Sequence, residues 1–504
     1  MLLGRDGINP DKADTQYGQT PLSWAAECGH EGVVKMLLER EDVNPDQEDT
    51  RSCQTPLSWA AKCGHEGVVK MLLQREDVNP NTLESRYGFT PLSWAAERGN
   101  EGVVRILLER EDVNPDQADA KSGRTPLSCA AEDGNLGIVK MLLERADVNP
   151  NTVDSTYGGT PLSWAALRGQ TGVVKLLLER EGVNPDQADT KSGRAPLSWA
   201  AEWGHEEIIK LLLERADVNP DQEDADEGRT PLSRAAEQGH ERVVKMLLER
   251  ENINPNRIDA KFGGTPLSWA AEKGHEGVVR VLLERADADP DQADTKSGRT
   301  PLSWAAEYGH EVIVKMLLER ADVNPDTVES EYGCTPLLLA AEMGHEGIVR
   351  MLLERLDVNP NQADTDVGRT PLSWAAEYGH EAITKMLLER ADVNPDMVEN
   401  EYGCTPLFLA VKNGYAGVVK MLLERADVNP NTVESKYGCT PLSWANLARE
   451  TSGSKDAFGT RGRHSKYSRP QIWQDTTRLG RLARAPRDSK DAFGTERCPH
   501  CYPR

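Results

Sequence analysis

The phrase Thr-Pro-Leu returns every 35 residues along this chain, opening at Thr20, Thr55, Thr90, Thr125 and Thr160 and again from Thr230 to Thr440, with Ala195 taking the threonine's place once. No insertion or deletion breaks the series. At 504 residues a chain would ordinarily divide into several globular domains. A fixed period leaves room for something else, a file of near-identical units that bury their apolar faces on one another.

A typical unit is GRTPLSWAAEYGHEVIVKMLLERADVNPDTVESEY, from Gly298 to Tyr332. Thr300 suits a helix N-cap, and Pro301 suits the first helical position, where its missing N–H costs nothing. Leu302, Ala305 and Ala306 make a small apolar face that admits a close neighbour, and Gly309 ends the helix. A second helix starts near His310, with Ile313, Val314, Leu317 and Leu318 in one stripe. Two helices this short, each about 15 Å or less at 1.5 Å per residue, cannot close a core alone. The expected fold class is therefore all-α, a solenoid of helix-turn-helix units with long loops.

These residues resemble the ankyrin repeat: Gly-x-Thr-Pro-Leu, Ala-Ala-x-x-Gly-His, Val-Val-Lys-x-Leu-Leu and Ala-Asp-Val-Asn occur in the family's order and spacing. The resemblance covers twelve complete units from residue 20 and the start of a thirteenth at Thr440, within 20–445. Three departures stand out. Serine (Ser23, Ser58, Ser303) replaces the family's histidine after Thr-Pro-Leu, which puts its side-chain hydrogen bonds in doubt. The glycine that usually follows the second helix is missing, and the loop after Asn-Pro is longer. The Asp-Val-Asn-Pro and Thr-Pro-Leu-Ser-Trp phrases also resemble the long ankyrin arrays of fungal NOD-like receptor proteins, where the resemblance implies a sensor that recognises partners.

Both ends depart from the pattern. MLLGRDGINP aligns with Met36–Pro45, so residues 1–19 read as a partial repeat, second helix and loop only, implying that more protein lies upstream. At the other end SKDAFGT occurs at Ser454–Thr460 and again at Ser489–Thr495, the same 35-residue beat in unrelated residues. VVKMLLER, with suitable codons read one base out of step, yields SKDAFGT. Residues 446–504 are thus expected to be a disordered or artefactual tail of out-of-frame repeat. That tail holds 13 Lys/Arg against 6 Asp/Glu, so the repeats are more acidic than the net charge of −23 indicates.

Candidate chemistry is sparse. Cys498-Pro-His-Cys501 has the Cys-x-x-Cys spacing of redox and zinc sites, but it lacks a βαβ context and a second ligand pair. Arg478, Arg481, Arg484 and Arg487 could form a nucleic-acid arm, although the frame change explains them more simply. The loop from Asp42, DVNPDQEDT, has oxygens at positions 1, 3 and 5 but lacks the glycine and bidentate glutamate of a calcium loop. The eight histidines of the Gly-His turn (His30, His65, His205, His240, His275, His310, His345 and His380) read as structural. No His-Glu-x-x-His, P-loop or Gly-x-Ser-x-Gly occurs. The expectation is no enzyme, no cofactor and no metal. Cysteines recurring at equivalent places of stacked units stand too far apart for disulfides. Together with the lack of an apolar run near 20 residues or a signal peptide, this favours the cytoplasm, with the nucleus as the alternative.

Variation among the copies carries the functional expectation. The residue before the Gly-His turn reads Cys28, Cys63, Arg98, Asp133, Arg168, Trp203, Gln238, Lys273, Tyr308, Met343, Tyr378 and Asn413, while its surroundings hardly change. The loop tips vary too, with Tyr17, Tyr87, Tyr157, Phe262, Tyr332 and Tyr402 in some units and Ser122, Ser192 and Ser297 in others. In ankyrin proteins both places face the concave surface, so the resemblance implies that these residues bind a partner. Nine tryptophans at one first-helix position read as inter-repeat packing, with an exposed aromatic ladder as the alternative. The acidic repeats favour a protein partner with a basic surface, disfavour nucleic acid and membrane, and are compatible with a monomer. The rival readings are a fragment of a larger signalling NTPase or enzyme, and the product of a decaying gene.

Overall fold

A computed structural model describes residues 9–86 and 88–451, the side chains of 447–451 excepted. Residues 9–442 form one compact unit of helix pairs, and residues 443–451 belong to a second, within the helix Pro441–Thr451. All regular structure among the described residues is helical, as the period demands. Pairs run from Pro21–Glu27 with Glu31–Leu38 to Pro406–Asn413 with Ala416–Glu424, one pair per 35 residues. First helices pack on the first helices of neighbouring units, and second helices on second. This is the solenoid of stacked helix pairs expected from the sequence.

The local signals act as their chemistry requires. Thr300 is extended, its Oγ1 accepts from the Ser303 amide at 3.3 Å, and Pro301 opens the helix Pro301–Tyr308. The serine that stands in for histidine keeps a side-chain bond: Ser303 Oγ lies 3.1 Å from Thr300 Oγ1, with both residues wholly buried. The doubt raised by that replacement is thereby resolved. Helix-ending glycines are left-handed, and most are crowded by the turn of the next unit. Gly274 has φ 78°, and a Cβ there would stand 2.6 Å from the His310 ring of the next unit, so conformation and space both demand glycine.

Leu302, Ala305 and Ala306 from the first helix meet Ile313, Val314 and Leu317 from the second, all with no exposed surface. Each large apolar side chain so buried contributes roughly 1.5–3 kcal/mol. Repetition down the stack makes one continuous core.

The missing glycine after the second helix has a substitute that links units. Arg110 Nη1 donates to Leu73 O at 2.7 Å, capping the second helix of the preceding unit. Its Nε and Nη2 meanwhile hold Asp112 at 2.8 and 2.6 Å. Arg285 does the same to Leu248 O, at 2.9 Å, and Asp287. A planar guanidinium can bind a carboxylate through one edge and a carbonyl through the other. The longer loop adds a second link. Asn81 Oδ1 accepts from the Asn114 amide at 2.8 Å and its Nδ2 donates to Asp112 O at 2.7 Å, so one side chain staples two units.

Candidate interaction face

Three first-helix positions, four, seven and eight residues beyond the capping threonine, define a face that runs the length of the stack. At the first, the indole N–H donates to a loop carboxylate ten residues earlier in the same unit. Trp59 bonds Asp49 at 3.0 Å, Trp164 bonds Asp154 at 3.0 Å, and Trp374 bonds Asp364 at 2.9 Å. That carboxylate also organises its own loop: Asp154 accepts from the amides of Thr156, Tyr157 and Gly159 at 2.7–2.9 Å. Asp154 is 2% exposed, and a buried carboxylate requires such a set of donors.

The second position is a glutamate paired with an arginine eight residues earlier in its own unit. Arg124–Glu132 and Arg194–Glu202 each close at 2.5 Å, and Arg229–Glu237, Arg299–Glu307 and Arg369–Glu377 repeat the pair. The guanidinium also lies over tryptophan, Arg194 at 4.5 Å from the ring centre of Trp199 and Arg229 at 4.1 Å from that of Trp269. Aspartate, tryptophan, arginine and glutamate thus form a polar layer whose charges are paired within the unit, although Arg194 and Arg369 keep a buried Nε without a hydrogen-bond partner. The tryptophans serve this layer, and Trp94, Trp164 and Trp269 are buried in it. Where Arg234 replaces tryptophan, it takes over the aspartate, reaching Asp224 at 2.6 Å and Glu227 at 2.8 Å.

Sequence reasoning missed this layer, although a signal was present. The two first helices with leucine for tryptophan, at Leu339 and Leu409, carry Glu329 and Glu399 where most units have aspartate. The correlation is imperfect, since Glu84 lies in the unit of Trp94.

The variable position comes next. Cys63, Asp133, Arg168, Gln238, Tyr308 and Asn413 are exposed, whereas Cys28, Arg98, Trp203, Lys273, Met343 and Tyr378 are half-buried. Several already have work within the chain. Arg168 binds Glu132 of the preceding unit at 2.7 Å, Lys273 binds Glu272 at 3.2 Å, and Asn413 donates to Glu377 O at 3.1 Å. Burial and the adjacent Glu132 push Asp133 up to about 6. The two tyrosines extend aromatic columns: Tyr308 stacks on Trp304, 6.2 Å between centroids, and Tyr378 on Trp374, at 5.8 Å.

Loop-tip aromatics meet the same layer. Tyr17, Tyr157 and Phe262 each stand edge-on to the tryptophan of their own unit, at 5.9, 5.6 and 5.7 Å. Tyr332 and Tyr402 are half-buried at equivalent tips. Tyr87, the tail arginines, Cys498 and Cys501 lie outside the described residues.

The histidines of the turn reach back one unit, His310 Nε2 lying 3.0 Å from Glu272 O and His345 Nε2 2.9 Å from Glu307 O. Asn100 at the equivalent turn makes the same kind of contact, donating to Ala61 O at 2.8 Å. That contact tolerates exchange of the side chain, as a structural role would. Asp42, first oxygen of the calcium-like loop, is held by Arg40 at 2.7 Å. Among the described residues the cysteines form no disulfides, and no helix is long and apolar enough to cross a membrane.

Six overlapping segments, residues 1–83, 76–154, 146–224, 216–294, 286–364 and 356–433, match a family model described as ankyrin repeats (3 copies). No curated protein matches the chain.

Proposed function

The chain belongs to the ankyrin-repeat family, and from that premise we propose that its first-helix face binds a protein partner through the residues that change from unit to unit. Ankyrin repeats generally mediate protein–protein interaction and typically serve as non-enzymatic scaffolds, and no enzymatic family matches this chain. The observation that supports the reading is the division of labour on that face. In several units an internally paired layer occupies the face, while the next residue along differs between aromatic, charged and aliphatic types. Exposed Tyr308 and the half-buried Trp203 and Tyr378 are residue types that dominate binding hot spots, and Met343, between the two tyrosines, is of a type enriched at interfaces.

The excess of acidic over basic residues, 82 against 59, selects for a partner with a basic surface and speeds its encounter. Acting as a monomeric sensor in the cytoplasm or nucleus, in the manner of the fungal receptor arrays, is the finer form of the same proposal. Affinity capture with the full chain and with a Trp203→Ala, Tyr308→Ala, Tyr378→Ala variant tests it. Capture should fall at least about tenfold in the variant, since hot-spot truncations cost about 2 kcal/mol or more each. Equal capture would refute the assigned face.

A further inference from the structure

Nine glutamates occupy the paired first-helix position among the described residues, from Glu27 to Glu377. Eight have a partner within the chain. Glu132, Glu202, Glu237, Glu307 and Glu377 have their arginines, and Glu27 has Gln19 at 2.6 Å. Glu97 has Arg98 at 3.7 Å, and Glu272 has Lys273 at 3.2 Å. Glu342 differs: only 5% of it is exposed, and its Oε2 is buried with no hydrogen-bond partner. The arginine position of its unit is Cys334. Arg369, the cation that acts on it most, is taken by Glu377 and lies 3.6 Å from Glu399.

Another unit shows what becomes of this position when the arginine, serine and tryptophan are all replaced. In the unit of Cys404, with Phe408 and Leu409 in place of serine and tryptophan, the glutamate has become Lys412, which is exposed. The unit of Cys334 makes matching replacements, Leu338 and Leu339, yet keeps its glutamate. Burial, followed by the charges of Glu307, Asp364 and Glu377, pushes that carboxyl up to about 7. An acid held this way gains strongly when a cation arrives.

Tyr308, Met343 and Tyr378 follow the glutamate in three successive first helices and surround the place by sequence register. Tyr378 is close enough to feel the Glu342 charge. Methionine is the adaptable member of the trio, able to move aside and line the channel of a ligand. Faces of tyrosine and a desolvated carboxylate together recognise a flat cation.

We infer that the arginine missing from the unit of Cys334 is supplied in trans: an arginine side chain of a basic protein segment enters between Tyr308 and Tyr378, over Met343, and pairs with Glu342. Arginine is the committed occupant because five other units place a guanidinium against this same glutamate. The inference rests on the proposed binding role of the first-helix face and names its central contact.

The test uses the full chain and a fluorescent peptide, acetyl-Gly-Arg-Gly-Arg-Gly-Arg-amide, titrated by anisotropy at low salt against wild type, Glu342→Gln, Cys334→Arg and Glu346→Gln. Glu346 is exposed on the second helix, so its variant makes the same change in net charge away from the face. Cys334→Arg restores the internal partner and is expected to raise the thermal midpoint, which separates lost binding from lost folding. The inference predicts about tenfold or greater weakening for Glu342→Gln and Cys334→Arg, and less than twofold for Glu346→Gln. Equal weakening in all three variants, or no peptide binding by wild type, overturns it. Reduced partner capture by the triple aromatic variant alongside unaffected peptide binding in Glu342→Gln would remove this contact and leave the face standing.

Discussion

Two neighbouring units, 298–332 and 333–367, share their caps, their core and their histidine, and differ on the face that lies outside the core. The first carries Arg299, Ser303, Trp304 and Glu307, and the second Cys334, Leu338, Leu339 and Glu342. Apolar groups of similar shape can replace a buried ion pair with little loss, whereas removing one partner alone is costly. The second unit has made both changes, the tolerable one at three positions and the costly one at Glu342. Its backbone nonetheless keeps the same capped helix, Pro336–Met343, with Thr335 Oγ1 accepting from the Leu338 amide at 3.3 Å. The fold therefore does not depend on the polar layer, and a carboxylate left without its arginine demands a reason outside stability.

The sharpest way to break the contrast is Arg299→Met, which leaves Glu307 in the condition of Glu342. Urea unfolding of this segment, followed by hydrogen exchange, should show a loss of about 3 kcal/mol. A loss below about 0.5 kcal/mol would mean that the layer is not the paired structure described.

A pH series then sharpens it. The ordinary glutamate value is 4.5 and that of Glu342 in the fold is about 7. The folded state therefore holds this proton more tightly than the unfolded chain does. Stability of the segment 333–367 should rise as pH falls through 7 and level off near the unfolded value. Glu342→Gln should abolish that rise, and a rise that survives the substitution must come from another group.

A smaller effect lies on the loop side, where the units also alternate. Asn151 Oδ1 accepts from the Asn184 amide at 2.9 Å and its Nδ2 gives Gly182 O a bond of 2.6 Å. Asp186, its counterpart in the next unit, accepts from the Asn219 amide at 2.6 Å, but its Oδ1 is buried without a partner. Burial raises its pKa. Asp186→Asn should stabilise the chain at pH 7 by about 1 kcal/mol. The gain should shrink on acidification, since protonated aspartate can donate as asparagine does. Smallest of all, His310→Ala should cost roughly 0.5–1.5 kcal/mol through the lost bond to Glu272 O, read from the midpoint of the same segment.

What could be read from the residues was whatever acts within a unit. Thr300, Pro301 and Gly309 mark a helix by their own backbone preferences, and Ile313, Val314 and Leu317 mark its buried side by spacing. Arg110 to Leu73 O, 37 residues apart, was invisible, because a contact between copies leaves no trace in the pattern of either copy. The variable position was legible as variable, yet which of its residues are already engaged was not. Arg168 looked like a recognition residue until Glu132 of the preceding unit was seen to hold it. Trp164 pointed to packing, and its bond to Asp154 required knowing that the loop folds back over the helix.

The central claim, that recognition occurs on the first-helix face, is tested most directly by site-resolved photo-crosslinking of the full chain in its native extract. A photoreactive residue is placed in turn at Tyr308, Met343 and Tyr378, and for contrast at Val312 and Lys315, exposed on the second helix Glu311–Leu318. One shared cross-linked protein is expected from the three first-helix sites and none of it from the second-helix pair. The same protein cross-linked from Val312 and Lys315 but not from the tyrosines would contradict the claim.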